Sequence, residues 1–92
     1  LVVPKLEVDY IFDLEDDLLS EMMVFAKSVA KSIKASVDCN RVAVMVLGLE
    51  VPHAHIHLVP IQSEKDIDLS KPRVELSSEQ FIELAQHISS NM

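Results

Sequence analysis

Residues 53–59 read His53-Ala54-His55-Ile56-His57-Leu58-Val59, an alternation that an extended strand sorts cleanly into two faces. Successive side chains of a strand point to opposite sides. His53, His55 and His57 therefore share one face, while Ala54, Ile56 and Leu58 enter the core behind them. Upstream, Arg41-Val42-Ala43-Val44-Met45-Val46-Leu47 is apolar at nearly every position and reads as a central strand buried on both faces. Gly48, the only glycine in the chain, lies between these segments, where a turn needs conformational freedom. Pro52 ends that turn rather than interrupting a ladder. Residues 41–61 are expected to form an antiparallel hairpin.

The remaining elements follow from local signals. Leu1-Val2-Val3 is a short strand-like run stopped by Pro4, and residues 5–12 form a connection. A long helix is expected over residues 14–37, with Asp13 as its N-cap. Glu15, Asp16 and Asp17 complement the positive end of its dipole, and Lys27, Lys31 and Lys34 populate its C-terminal half. Leu18, Met22, Phe25, Ala26, Val29 and Ile33 recur at helical spacing as a core-facing stripe, and Leu19, Met23 and Ala30 form a second line. So wide an apolar surface fits either a deeply buried helix or one that also packs on another subunit. Residues 62–74 are polar and charged and read as a solvated loop containing Pro72. Ser77 and Gln80 stand in capping-box positions at the start of a final helix whose buried stripe is Phe81, Leu84, Ala85 and Ile88. The expected fold is α+β: an antiparallel sheet with one long packed helix and a C-terminal helix.

Ninety-two residues make one small domain, residues 1–92, near the lower limit for a self-sufficient core. Fifteen Asp and Glu against eight Lys and Arg give a net charge of −7, so no broad basic field attracts a nucleic acid polymer. A small phosphorylated ligand is still compatible if local donors bind it. Hydrophobic residues make up 49% of the chain, enough to expect that some apolar surface meets a partner. The single cysteine, Cys39, cannot close an internal disulfide, which favours a reducing, cytoplasmic setting. No apolar run approaches the ~18 residues of a membrane span, and no leader is evident.

Imidazole is partly unprotonated at neutral pH, its ordinary pKa being about 6.5, so a histidine can attack phosphorus. A His-x-His-x-His run followed by two apolar residues is the signature of the histidine-triad nucleotide hydrolases and transferases, and this chain resembles that family. Leu1-Val2-Val3-Pro4-Lys5 looks like the family's strand ending in Pro-Lys, residues 14–37 like its long helix, and Arg41 to Leu47 like the strand before the triad. The resemblance extends from residue 1 to about residue 62. It implies that His55 attacks the α-phosphate of a nucleoside phosphoramidate or a related mononucleotide or dinucleotide, forming a covalent nucleotidyl-histidine that water then hydrolyses. It further implies that His57 contacts the phosphate or leaving group, that His53 supports the site by hydrogen bonding, and that Gly48, Glu50 and Val51 border the substrate. The implied ligand is a purine nucleotide or nucleoside phosphoramidate, the implied assembly a homodimer, and no cofactor is expected.

The departures from the family pattern are local. The turn before the triad usually reads Gly-Gln-Ser/Thr-Val, whereas this chain has Gly48-Leu49-Glu50-Val51: the amide is lost and an anion replaces a hydroxyl. Glu50 would repel phosphate unless protonated, turned away or used to hold a cationic leaving group. Ile61 stands where relatives often carry arginine. Family members that transfer nucleotides between sugar phosphates tend to have glutamine at the third histidine position, so His57 favours hydrolysis. The family's upstream part, with its nucleoside walls and a further histidine, precedes the Leu-Val-Val-Pro-Lys strand, and the chain is expected to be an N-terminally incomplete domain. Two other readings are carried forward. One is a nucleotide-binding or protein-interaction module that kept the triad without turnover. The other is a metal site built from His53, His55 and Glu50. His87 and the acidic group Asp13, Glu15, Asp16, Asp17 and Glu21 read as ordinary solvated surface.

Overall fold

The computed structural model describes residues 1–67 and 76–92. Its backbone is a two-stranded antiparallel sheet, β1 (Arg41–Met45) and β2 (His57–Ile61), with a long helix α1 (Asp16–Ser36) and a C-terminal helix α2 (Ser78–Ser90). The fold is α+β, as expected. In the hairpin Arg41 stands opposite Ile61 and Met45 opposite His57. Gly48 in the connection has φ +76°, a left-handed conformation that favours glycine. Nothing lies within 4 Å of where its Cβ would be, so the requirement is conformational rather than steric.

The core forms where the N-terminal segment, α1 and the triad segment meet: Val2, Ile11, Leu14, Met22, Ala26, Ala54 and Ile56 are mutually packed and buried. Val2 exchanges both backbone hydrogen bonds with Ile56, each 2.9 Å long, and Ala54 N–H donates to the Val8 carbonyl at 2.7 Å. Residues 53–56 are thus docked on residues 2–8, with a bend at His53 and a single bridge at Ile56, and the regular ladder begins only at His57. The predicted sorting of faces holds: Ala54 and Ile56 are buried, and the three histidines are half-buried.

Several sequence expectations need correction. Helix α1 begins at Asp16, not at residue 14. Asp13 closes a 3-10 turn (Ile11–Asp13), and the N-cap position is Glu15, whose side chain makes no capping bond. The aliphatic residues Ile11 and Leu14 of this turn are both buried, which pulls the chain into the core before the helix can start. Phe25 is 53% exposed because the buried stripe of α1 is narrower than its apolar one, running through Met22, Ala26 and Ile33. β1 is not buried on both faces: Arg41 and Val44 are exposed, since α1 covers one face and only β2 pairs with the strand among the described residues. In α2 no residue is fully buried; Leu84 and Ile88 are half-buried, while Phe81 and Ala85 are exposed.

Local chemistry fixes the helix ends. At α2 the expected capping box is present: Gln80 N–H donates to Ser77 Oγ at 3.1 Å and Ser77 N–H to Gln80 Oε1 at 2.8 Å, an arrangement worth about 1 kcal/mol. The far end of α2 is tied to α1 by the hydroxyl of Ser32, a buried polar side chain that donates to the Ile88 carbonyl. Asn91 Nδ2 donates to Ser36 Oγ at 2.9 Å. At the end of α1 the Lys34 ammonium donates to the carbonyls of Cys39 and Asn40, satisfying acceptors where the chain turns into β1. Glu64–Ile67 is a 3-10 turn inside the expected loop, and Pro72 lies outside the described residues. Among the described residues no helix is long and apolar enough to cross a membrane.

Candidate active site

The three histidines are held by different backbone anchors, and the acceptors determine their tautomers. A carbonyl oxygen can only accept, so a ring nitrogen facing one must carry a proton. His53 Nε2–H therefore donates to the Pro4 carbonyl at 2.9 Å, which ties the triad segment to the first residues of the chain. His55 Nδ1–H donates to the carbonyl of His53 at 2.7 Å. In neutral His55 the proton is thereby fixed on Nδ1, leaving the lone pair on Nε2.

That Nε2 lies 3.1 Å from Nε2 of His57, with the two rings edge-to-face at 4.8 Å between centroids. Because the His55 nitrogen is the acceptor, the shared proton belongs to His57. The result is a directed chain: His57 Nε2–H donates to His55 Nε2, and His55 Nδ1–H donates to the His53 carbonyl. Spacing two on an extended segment brings the two rings together because their side chains rise from the same face. Their partners could not be read from the sequence, since Pro4 is distant from His53 in the chain.

Beside His55 opens a cavity of about 470 Å³, bounded by Tyr10 and Phe12, by Met23 of α1 and by Leu47 and Gly48 after β1. Tyr10 and Phe12 pack edge-to-face, 5.4 Å between ring centroids. This wall was not anticipated; the only sequence signal was the pair of aromatics in a connection otherwise poor in them. Of the residues expected to border the substrate, Gly48 lines the cavity. Glu50 and Val51 do not, and both are exposed; His53 N–H donates to the Val51 carbonyl at 2.9 Å, closing a tight turn just before the triad. Leu49 is 92% exposed. The carboxylate of Glu50 is thus not held against the histidines by packing.

The metal reading needs three converging ligands. His53 Nε2 is turned to the Pro4 carbonyl and His55 Nδ1 to the His53 carbonyl, and among the described residues no three His, Cys, Asp or Glu side chains stand together as a metal ion requires. Cys39 is a buried free thiol and does not line this cavity.

Comparisons with known proteins bear on the family and the fold. The profile of the HIT domain matches residues 1–64. Among curated proteins, the chain is 34% identical over 68 residues to the adenosine 5'-monophosphoramidase HNT1 of Saccharomyces cerevisiae, an alignment covering 71% of this chain and 42% of the relative. The chain thus spans less than half the length of that relative. Among solved structures, a histidine triad protein of Sinorhizobium meliloti superposes with a TM-score of 0.81 at 21% identity, covering 98% of this chain and 71% of the other. A histidine triad protein of Marinobacter aquaeolei gives 0.78 at 18% identity, covering 97% and 69%. At these identities the structures establish a shared fold.

Proposed function

The chain belongs to the HIT family, whose domain profile matches residues 1–64, and from that premise we propose that it serves as a nucleotide hydrolase acting through His55. The observation that carries the reading is the directed hydrogen-bond chain from His57 through His55 to the His53 carbonyl. It leaves a nucleophilic lone pair on His55 Nε2 with a proton donor 3.1 Å away. The substrate class is a nucleoside 5'-phosphoramidate or a related mixed phosphate, in keeping with the phosphoramidase to which the chain is 34% identical.

In this mechanism His55 Nε2 attacks the α-phosphorus, forming a P–N bond as the bond to the leaving amine breaks. The amine nitrogen takes the Nε2 proton of His57, which acts as an imidazolium and becomes a neutral imidazole with its remaining proton on Nδ1. The Nδ1–H bond to the His53 carbonyl stabilises the positive charge that the His55 ring acquires. Water then attacks phosphorus, its proton passes to His57 Nε2, and the P–N bond to His55 breaks with its electron pair returning to Nε2. The nucleoside monophosphate leaves and the starting protonation is restored. His53, bonded to Pro4, is a positioning residue.

The protein is expected to convert adenosine 5'-phosphoramidate to AMP and ammonia, with an acid-labile adenylyl group trapped on His55 when the reaction is quenched early. Binding without turnover and without adduct would instead favour the nucleotide-binding module. We place the active unit in a homodimer. Its support is apolar surface on α1 and around β1, where Met23, Val44 and Val46 are 45%, 52% and 39% exposed. Sedimentation is expected to give the mass of two chains; a monomer at micromolar concentration would remove this assignment.

A further inference from the structure

Helix α1 carries its lysines in a pattern that its own stability does not require. Lys27, Lys31 and Lys34 stand at i, i+4 and i+7, which puts their side chains on one helix face. A helix dipole favours cations only within its last turn. That accounts for Lys34, whose ammonium is held by the carbonyls of Cys39 and Asn40. It does not account for Lys27 and Lys31, which sit at like-charge spacing and repel each other. A fourth cation, Arg41, comes from the start of β1.

The fold gathers these four around one open cavity of about 450 Å³ between α1 and β1. They are half of the chain's eight Lys and Arg, in a protein whose net charge is −7, and no carboxylate stands in the cavity wall. The side chains of Lys27, Lys31 and Arg41 are exposed and make no hydrogen bond or ion pair among the described residues. This cavity shares no lining residue with the one beside His55.

We propose that the basic cavity is a binding site for a small oligophosphate, a chain of two or three linked phosphate groups. The spacing of the cations sets the length of the ligand. Lys27 and Lys34 lie seven residues apart on α1, about 10 Å along its axis. A single phosphate group cannot meet both, whereas the successive phosphates of a chain can. The net charge sets its size: a long polyanion extends beyond the Debye length of about 8 Å and meets the repulsion of an acidic protein, while a small one stays within the field of the four cations. Lys34 is already oriented by its two carbonyls, and Arg41 offers a planar fork that holds phosphate oxygens bidentately. The site is independent of the reading of His55 as nucleophile.

The test is calorimetry on the whole chain with phosphate, pyrophosphate and tripolyphosphate. Affinity is expected to rise about 10-fold or more from phosphate to tripolyphosphate and to fall with added salt. K31Q/R41Q is expected to weaken tripolyphosphate binding by about 10-fold or more. K5Q/K65Q removes the same charge at exposed positions outside the cavity and should change it by less than about twofold. Equal losses in the two double variants would reduce the effect to bulk charge and overturn the proposal, as would failure of the wild type to bind any of the three probes.

His55→Ala should keep full affinity for tripolyphosphate; a loss there would place the anion beside the histidines and overturn the proposal. Should K31Q/R41Q fail to fold, the wild-type amides decide: those of Lys31, Asn40 and Arg41 should shift on titration with tripolyphosphate, and unmoved amides overturn it. Titrating His55→Ala with ATP distinguishes the sources of the phosphate chain. Affinity equal to that for tripolyphosphate identifies the chain alone as the ligand, and affinity about 10-fold higher identifies a nucleotide that carries it. Absence of adenosine 5'-phosphoramidate hydrolysis would count against His55 as nucleophile and leave this site as it stands.

Discussion

Replacing His55 by alanine is expected to lower turnover by roughly 10³-fold or more while leaving the protein folded. The substitution removes the nucleophilic Nε2 and, with it, the acceptor for His57. The structural loss is small, because His55 is half-buried on a face that the core does not use. Its one backbone bond, to the His53 carbonyl, contributes about 1 kcal/mol. Rate and thermal stability measured on the same preparation check both halves of this expectation. Full activity in His55→Ala would eliminate the covalent mechanism. His53→Ala should be milder in rate, since it unties the triad segment from Pro4 without removing a reacting atom.

The adjacent residue should behave in the opposite way. Ile56 is completely buried, with Val2, Met22, Ala26 and Ala54 in the same cluster. Ile56→Asp puts a carboxylate among aliphatic groups, with no donor supplied by the cluster, and should cost more than about 4 kcal/mol. A domain of this size has only about 5–10 kcal/mol in total, so a large fraction of the chain should unfold, visible as lost helical circular dichroism and a collapsed urea midpoint. Ile56→Val, which removes one methylene, should cost about 1 kcal/mol and leave the rate unchanged. A folded, stable Ile56→Asp protein would show that the core does not depend on this residue.

The contrast between neighbours was legible in the sequence, because alternation assigns His55 and Ile56 to opposite faces whatever the rest of the chain does. The hairpin around Gly48 and the Ser77–Gln80 cap were legible for the same reason: each is written within a few residues. What the sequence concealed is long-range. Nothing near residue 13 announces that Ile11 and Leu14 are drawn into the core and displace the helix start to Asp16. The burial of β1 was overestimated because an unbroken apolar run reports that a strand is covered without saying by which chain. Phe25 was assigned to the core on periodicity, but periodicity gives an angle around α1 and not the width of what packs there. At the site, the three histidines came from their spacing alone. Their anchors and the Tyr10–Phe12 wall required the fold.

The anchoring of the triad segment also determines how the histidine cluster can open. Beside its packing on α1, four hydrogen bonds hold it: His53 on Pro4, Ala54 on Val8, and the reciprocal pair between Ile56 and Val2. All four reach the same first eight residues, and none depends on the β1–β2 ladder. Peeling residues 2–8 away therefore breaks all four in one step, so the amides of Ala54 and Ile56 are expected to exchange with solvent as a unit set by this local event. The geometry of the histidine cluster is only as durable as the docking of residues 2–8, a subglobal equilibrium that can be shifted without denaturing the domain.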